Sequence, residues 1–206
     1  MTKRHHYRQH TPKLTTLILT ILLTLTITGI SYTYWTDTLN IFGTIRTGNI
    51  KITIDNEKFI SDHIIYPSKT GDNKTLTISA EITQPWQVWV GIIIKNKGTV
   101  PVTINYEITT NNQTYESYFR NDTRFYGPYP TDPPNAVWDG FDILNPPTGE
   151  TPPIDLPVNY KLVVWQKLWL ENGLPQDFTI TITSEYKATL GPWHEEVAVI
   201  YYLDKW

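Results

Sequence analysis

The chain has 206 residues, with 17 Lys+Arg against 20 Asp+Glu, no Cys, one Met and eight Trp. That length suits one ordinary domain with a short appendage, and the lack of Cys excludes a disulfide framework, a thiolate metal site and a cysteine nucleophile. Charged residues make up 18% and aromatics 13%, a balance that supports a packed core and excludes wholesale disorder. A net charge of -3 gives no electrostatic reason to expect nucleic acid as a partner.

Lys3, Arg4, Arg8 and Lys13 precede an uncharged stretch from Leu14 to Thr36, whose first part, Leu14–Thr28, is a Leu/Ile/Thr run. Basic residues followed by an apolar run form the secretory pattern. A retained membrane helix competes with it, because the stretch is just long enough to span. Against the anchor, six threonines between Thr15 and Thr28 dilute the run, and no basic residue closes it. Gly29, Ser31 and Thr33 offer cleavage positions. Residues 1–33 are therefore expected to be a signal peptide cut between 29 and 34, so that the chain meets a membrane only before cleavage and is secreted after it. Loss of four basic residues leaves 13 Lys+Arg against 20 acids, or -7. Such an acidic surface repels nucleic acid and anionic lipid.

Beyond residue 35 the apolar period is close to two. Ile50, Ile52 and Ile54 alternate with Lys51, Thr53 and Asp55; Leu76, Ile78, Ala80 and Ile82 and then Phe178, Ile180 and Ile182 repeat the pattern. Strict alternation marks strands with one buried and one wet face. Val88–Ile94 is apolar almost throughout, which predicts a central strand. Val100–Ile108, Gln113–Phe119, Asn159–Leu170 and Glu196–Tyr202 complete the expected set, divided by turn chemistry at Gly71-Asp72-Asn73, Asn96-Lys97-Gly98, Asn172-Gly173 and Gly191-Pro192. Seven to nine short strands predict an all-β, jelly-roll-like β-sandwich over residues 48–206. Residues 127–157 carry nine of the fifteen prolines, so they predict an ordered excursion with one short edge strand. Its Tyr126, Tyr129, Trp138, Phe141, Ile143 and Leu144 call for burial.

Motifs for chemistry are scarce. The sequence holds no Gly-rich phosphate loop, nucleophile elbow or His-Glu-x-x-His helix, and His194-Glu195-Glu196 lacks a second histidine four residues on. We expect no catalytic residues, no metal and no cofactor. Asp139 and Asp142 are a carboxylate pair that solvent or a calcium ion would satisfy. Trp86, Trp89, Trp165 and Trp169 suggest either a sugar-stacking platform or core packing; Trp86 and Trp89 point to opposite faces of a strand, Trp165 and Trp169 to one. Three Asn-x-Thr triplets, at Asn73, Asn112 and Asn121, are glycosylation candidates in an exported chain.

Tyr34-Trp35-Thr36-Asp37-Thr38, followed by Gly43-Thr44-Ile45-Arg46-Thr47-Gly48-Asn49-Ile50-Lys51-Ile52, resembles the start of mature proteins of the TasA/camelysin family. Pro67 to Gly71-Asp72 resembles that family's Pro-Gly-Asp turn, Ile94 to Val102 its Asn-x-Gly crossover, and Thr179–Ala188 its closing strand. The Pro-rich middle is unmatched. The resemblance implies an exported jelly roll that polymerises into extracellular biofilm fibres, and the Cys-free, Thr- and Ile-rich composition is most similar to the archaeal bundling-pilus branch. The metalloprotease label some members carry does not transfer, since its zinc motif is missing here.

Residues 34–47 read as an extended leader whose Tyr34, Trp35, Leu39, Ile41, Phe42 and Ile45 lack cover in their own chain. Open sheet edges want a strand, and donating this segment to a neighbour's sheet satisfies both needs. Burying four or five such side chains contributes about 6–15 kcal/mol before ordering costs. A head-to-tail contact that does not close builds a filament. The expected function is thus a structural subunit of an extracellular filament or bundling pilus, with biofilm or cell–cell adhesion as its setting, neighbouring subunits as partners and lateral contacts between filaments. A monomeric secreted binding module for carbohydrate or protein is the alternative, and a secreted hydrolase the third reading.

Overall fold

The computed structural model describes residues 16–26, 48–61, 63–82, 86–170 and 178–205. The expected donor residues Tyr34, Trp35, Leu39, Ile41, Phe42 and Ile45, the cleavage region and the Asn172-Gly173 turn lie outside them. Two compact units divide the chain, residues 1–47 and 48–206. In the first, residues 16–26 form a helix. Its Thr20 and Thr26 hydroxyls donate to the carbonyls of Thr16 (2.7 Å) and Leu22 (2.8 Å), the usual way a hydroxyl is satisfied within a helix. Among the described residues no helix is long and apolar enough to cross a membrane.

The second unit is an all-β, jelly-roll-like sandwich with ten strands among its described residues: β1 (Ile52–Ser61), β2 (Tyr66–Lys69), β3 (Thr75–Glu81), β4 (Gln87–Asn96), β5 (Val102–Thr110), β6 (Phe119–Tyr129), β7 (Ile154–Leu156), β8 (Lys161–Leu170), β9 (Phe178–Leu190) and β10 (Trp193–Lys205). One sheet has the order β1-β4-β8-β6, the other β2-β3-β10-β9-β5-β7. Strand β4 is central and buried on both faces from Val88 to Ile94, as its unbroken apolar run predicts. Pairing is antiparallel except between β3 and β10, where Leu76, Ile78 and Ala80 lie level with Val199, Tyr201 and Leu203. That parallel register aligns the inward-facing residues of both strands.

Two expectations about the strands fail: ten are described where seven to nine were expected, and one expected strand is a helix. Gln113–Tyr118 is a 3-10 helix rather than a strand. Its Tyr115 and Tyr118 are three apart, the spacing that such a helix stacks on one side, and their rings lie 6.5 Å apart. Strand β6 runs where Asn121-Asp122-Thr123 looks like turn chemistry; inward-facing Phe119 and Phe125 hold it in the sheet. The edge strand expected in the Pro-rich excursion is β7, paired with β5.

The excursion folds over the outer face of the four-stranded sheet. Trp138 and Phe141 join Trp89, Ile93, Tyr126, Val163 and Trp165 in a second apolar cluster. Phe141 stacks on Trp165 at 4.3 Å with the rings 5° apart, and the Trp165 indole donates to the Val137 carbonyl at 2.9 Å. Arg124 and the Tyr126 hydroxyl donate to the Pro146 and Pro147 carbonyls. Lys161 pairs with Asp132 at 2.6 Å, and Lys58 pairs with Asp139. Leu144 is the exception to the expected burial, at 83% exposed. The Asp142 carboxylate accepts the Leu144 and Asn145 amides, and that tight turn directs Leu144 outward.

Between the sheets one polar network crosses five strands. The buried Gln166 amide donates to Ser184 Oγ (2.8 Å) and Tyr106 Oη (3.1 Å) and accepts from Tyr201 Oη (2.7 Å), while Thr123 Oγ1 donates to Tyr106 Oη at 3.0 Å. A satisfied buried network fixes one register among many that apolar packing alone tolerates. Burial pushes the Tyr186 and Tyr201 hydroxyls well above their ordinary range. Unfolded tyrosines ionise near pH ~10, so above that pH the unfolded chain holds fewer protons than the folded one and stability falls. The expected loss is about 1.4 kcal/mol per pH unit for each such tyrosine. Chemical denaturation between pH 9 and 11.5 should show it, and Tyr201→Phe should flatten the slope by one tyrosine's share while costing about 1 kcal/mol at neutral pH.

Candidate functional site

The start of the sandwich, residues 49–52, is fixed by several contacts. Asn96 is fully buried; its amide donates to the Val100 and Leu156 carbonyls at 2.9 and 3.0 Å and its oxygen accepts the Gly98 N–H at 2.9 Å. This single side chain shapes the turn from β4 to β5. A Cβ on Gly98 would collide with the Asn49 carbonyl, so the Asn-x-Gly turn is what lets residues 49–51 lie against it. Thr99 N–H donates to Asn49 O at 2.8 Å and Lys97 N–H to Lys51 O at 2.7 Å. Next along, the Glu195 carboxylate accepts the Ile52 N–H at 2.7 Å and pairs with Lys74. The chain therefore enters the sandwich at one defined pole, beside the start of β5.

At the other end of β5 the sheets part around a cavity of about 280 Å³. Ile108, Phe119, Leu168 and Ile182 supply apolar wall, and Thr110, Glu116, Arg120 and Asn121 supply polar groups. Small-molecule pockets usually run to ~300–1,000 Å³; this one has the scale of one or two side chains. The nine residues of β5 put about 27 Å between the two poles. Beside the cavity, β6 ends the four-stranded sheet among the described residues, continued there by one bridge between Phe125 and Glu150.

The other residues singled out in the sequence are scattered. Trp86 belongs to the core between the sheets, and Trp89 and Trp165 to the cluster under the excursion. The imagined sugar platform is thereby closed: Phe141 occupies the face of Trp165 that a sugar would take, and Lys167 lies 4.9 Å above the Trp169 ring. Asp139 and Asp142 do not form a pair, since one meets Lys58 and the other caps its own turn. Backbone amides hold the Asp142 carboxyl below its ordinary value. Among the described residues no three His, Cys, Asp or Glu gather as a metal site. Asn73 occupies the β2–β3 turn with φ 57, Asn112 the turn after β5, and Asn121 lies in β6 and lines the cavity. The cavity itself was not legible, because a cavity-lining Ile182 alternates just as core Ile180 does.

No family model matches the chain, and no curated protein matches it. Among solved structures, a family 123 glycoside hydrolase from Clostridium perfringens aligns with TM-score 0.42 and 9% identity over 74% of this chain, which spans 27% of that protein. The N-terminal domain of PorA aligns with TM-score 0.37 and 12% identity over 76% of this chain and 97% of that one. The CooA pilin subunit from enterotoxigenic Escherichia coli aligns with TM-score 0.34 and 5% identity, over 68% and 97%. All three TM-scores lie below 0.5, and none of these likenesses says what this chain does.

Proposed function

We propose that the chain is a structural subunit of an extracellular filament or bundling pilus, secreted after removal of residues 1–33 and assembled head to tail. In this reading residues 34–47 of one copy lie along β6 of the next and place an apolar side chain, from among Leu39, Ile41, Phe42 and Ile45, in its cavity. The role is structural, not catalytic, and the partners are further copies. One observation carries the reading: residues 49–51, at the start of the sandwich, lie at the pole opposite the cavity. Donor and acceptor at opposite ends repeat without closing, which generates a filament rather than a dimer. In this reading the Pro-rich excursion, docked on an outer face, makes the lateral contacts between filaments.

Electron microscopy of concentrated chain 34–206 should show uniform filaments, and chain 45–206 should show none. Filaments from the shorter chain would overturn the proposal.

A further inference from the structure

We propose that Asn112 is the N-glycosylation site of this protein, and that the folded chain withholds Asn73 and Asn121 from the same modification. The inference rests on the export reading above, since the sugar donor is met outside the cytoplasm. In the reaction the Asn Nδ2 forms a bond to C1 of a sugar carried on a lipid-linked phosphate. The C1–O bond to that phosphate breaks, the lipid phosphate leaves, and the amide proton passes to a carboxylate of the transferase. An Asn-x-Thr acceptor is gripped through both the amide and the hydroxyl two residues on, so both have to be reachable.

Of the three triplets, the one at Asn112 alone lies wholly outside the strands, between β5 and the 3-10 helix; Asn112 itself is half-buried, and Asn111, Gln113 and Thr114 around it are exposed. The Asn112 oxygen accepts the Thr114 N–H at 3.0 Å, which turns its Nδ2 away from the backbone. Neither that nitrogen nor the Thr114 hydroxyl makes a hydrogen bond among the described residues.

The other two triplets are committed to the fold. Asn73 donates its N–H to Thr70 O at 2.9 Å and accepts the Ile54 N–H at 2.8 Å, at φ 57. Its Thr75 opens β3 and gives its N–H to Thr70 Oγ1 at 3.0 Å, so this triplet cannot bend as the one at Asn112 does. Asn121 is itself exposed, but its backbone is held in β6 opposite Leu168. Its Thr123 points between the sheets, where the hydroxyl bonds Tyr106.

The test treats the folded full chain with a single-subunit oligosaccharyltransferase that accepts Asn-x-Thr and a lipid-linked oligosaccharide, and reads occupancy by peptide mass spectrometry. Synthetic peptides spanning each triplet serve as the unfolded reference. On the folded chain Asn112 should carry at least tenfold more sugar than Asn73 or Asn121, whereas the three peptides should differ by less than about threefold. Asn112→Gln should leave the folded chain bare. Equal occupancy on the folded chain, or a bare Asn112 beside a modified peptide, would overturn the assignment. Secreted protein separates this from the export reading. A product starting between residues 30 and 34 with sugar on Asn112 supports both; one starting there but bare at Asn112 overturns the assignment alone. A chain that keeps Met1 inside the cell overturns the export reading.

Discussion

Trp165→Ala is expected to lower stability by about 3–5 kcal/mol, the range for deleting a buried Trp side chain, and to release the Pro-rich excursion from the sheet. Trp165 is fully buried, stacks on Phe141, packs on Trp138 at 5.7 Å and donates to Val137 O. It also lies directly over Gly91 of β4, where an added Cβ would come within 2.8 Å of the indole. The indole thus links the sheet beneath it to the residues above it, and no neighbour can refill its volume. Equilibrium denaturation should give the stability loss, and limited proteolysis should find new cuts between residues 130 and 150 while the strands stay protected. A variant that lost stability but kept the excursion protected would show that the prolines and the Lys161–Asp132 and Arg124 contacts suffice to hold it.

Thr110→Trp should abolish assembly without unfolding the subunit. Thr110 is half-buried at the end of β5 and faces the cavity, so a larger ring there takes up space that the proposal gives to a neighbour's side chain. Losing the burial of one such side chain is worth about 1.5–3 kcal/mol, which is about 10- to 150-fold in affinity at every junction. Sedimentation of chain 34–206 carrying Thr110→Trp should find monomer at concentrations where the parent pellets, with the melting temperature within a few degrees of the parent's. Normal polymer from this variant would remove the cavity from the assembly mechanism.

Much of this fold could be read from alternation. Ile52 and Ile54, Leu76 to Ala80, and Ile180 and Ile182 each present one face to the core, and β4 declares its central place by an apolar run with no wet face. The Asn96-Lys97-Gly98 turn was equally plain, and its reason is physical: the Asn side chain replaces three backbone partners and the Gly admits a second segment. What escaped were features made by contacts distant in sequence. After Phe119, strand β6 runs through Arg120-Asn121-Asp122-Thr123, polar enough to pass for a loop, because an edge strand beside an open cavity needs little apolar surface there. The four-residue β2 contains Pro67, which an edge tolerates and which masks the strand. Gln166 and Ser184 look like solvent-facing residues until Tyr106 and Tyr201 arrive from other strands to satisfy them. For the candidate site the leader remains a reading of the sequence, outside the described residues, whereas the cavity required the two sheets to be placed.

Strand donation comes down to one contact, the leader of one copy in the cavity of the next. Since the chain has no cysteine, two engineered thiols would be the only ones present. Chains carrying Leu39→Cys, Ile41→Cys or Phe42→Cys, each mixed with a chain carrying Thr110→Cys, can form a disulfide only between copies. Under mild oxidation we predict a crosslinked dimer from one register of this series, appearing with polymerisation and absent when the cavity partner also carries Ile182→Trp. Absence of any crosslink between a leader thiol and the Thr110→Cys thiol in polymerised mixtures would contradict strand donation at this pole.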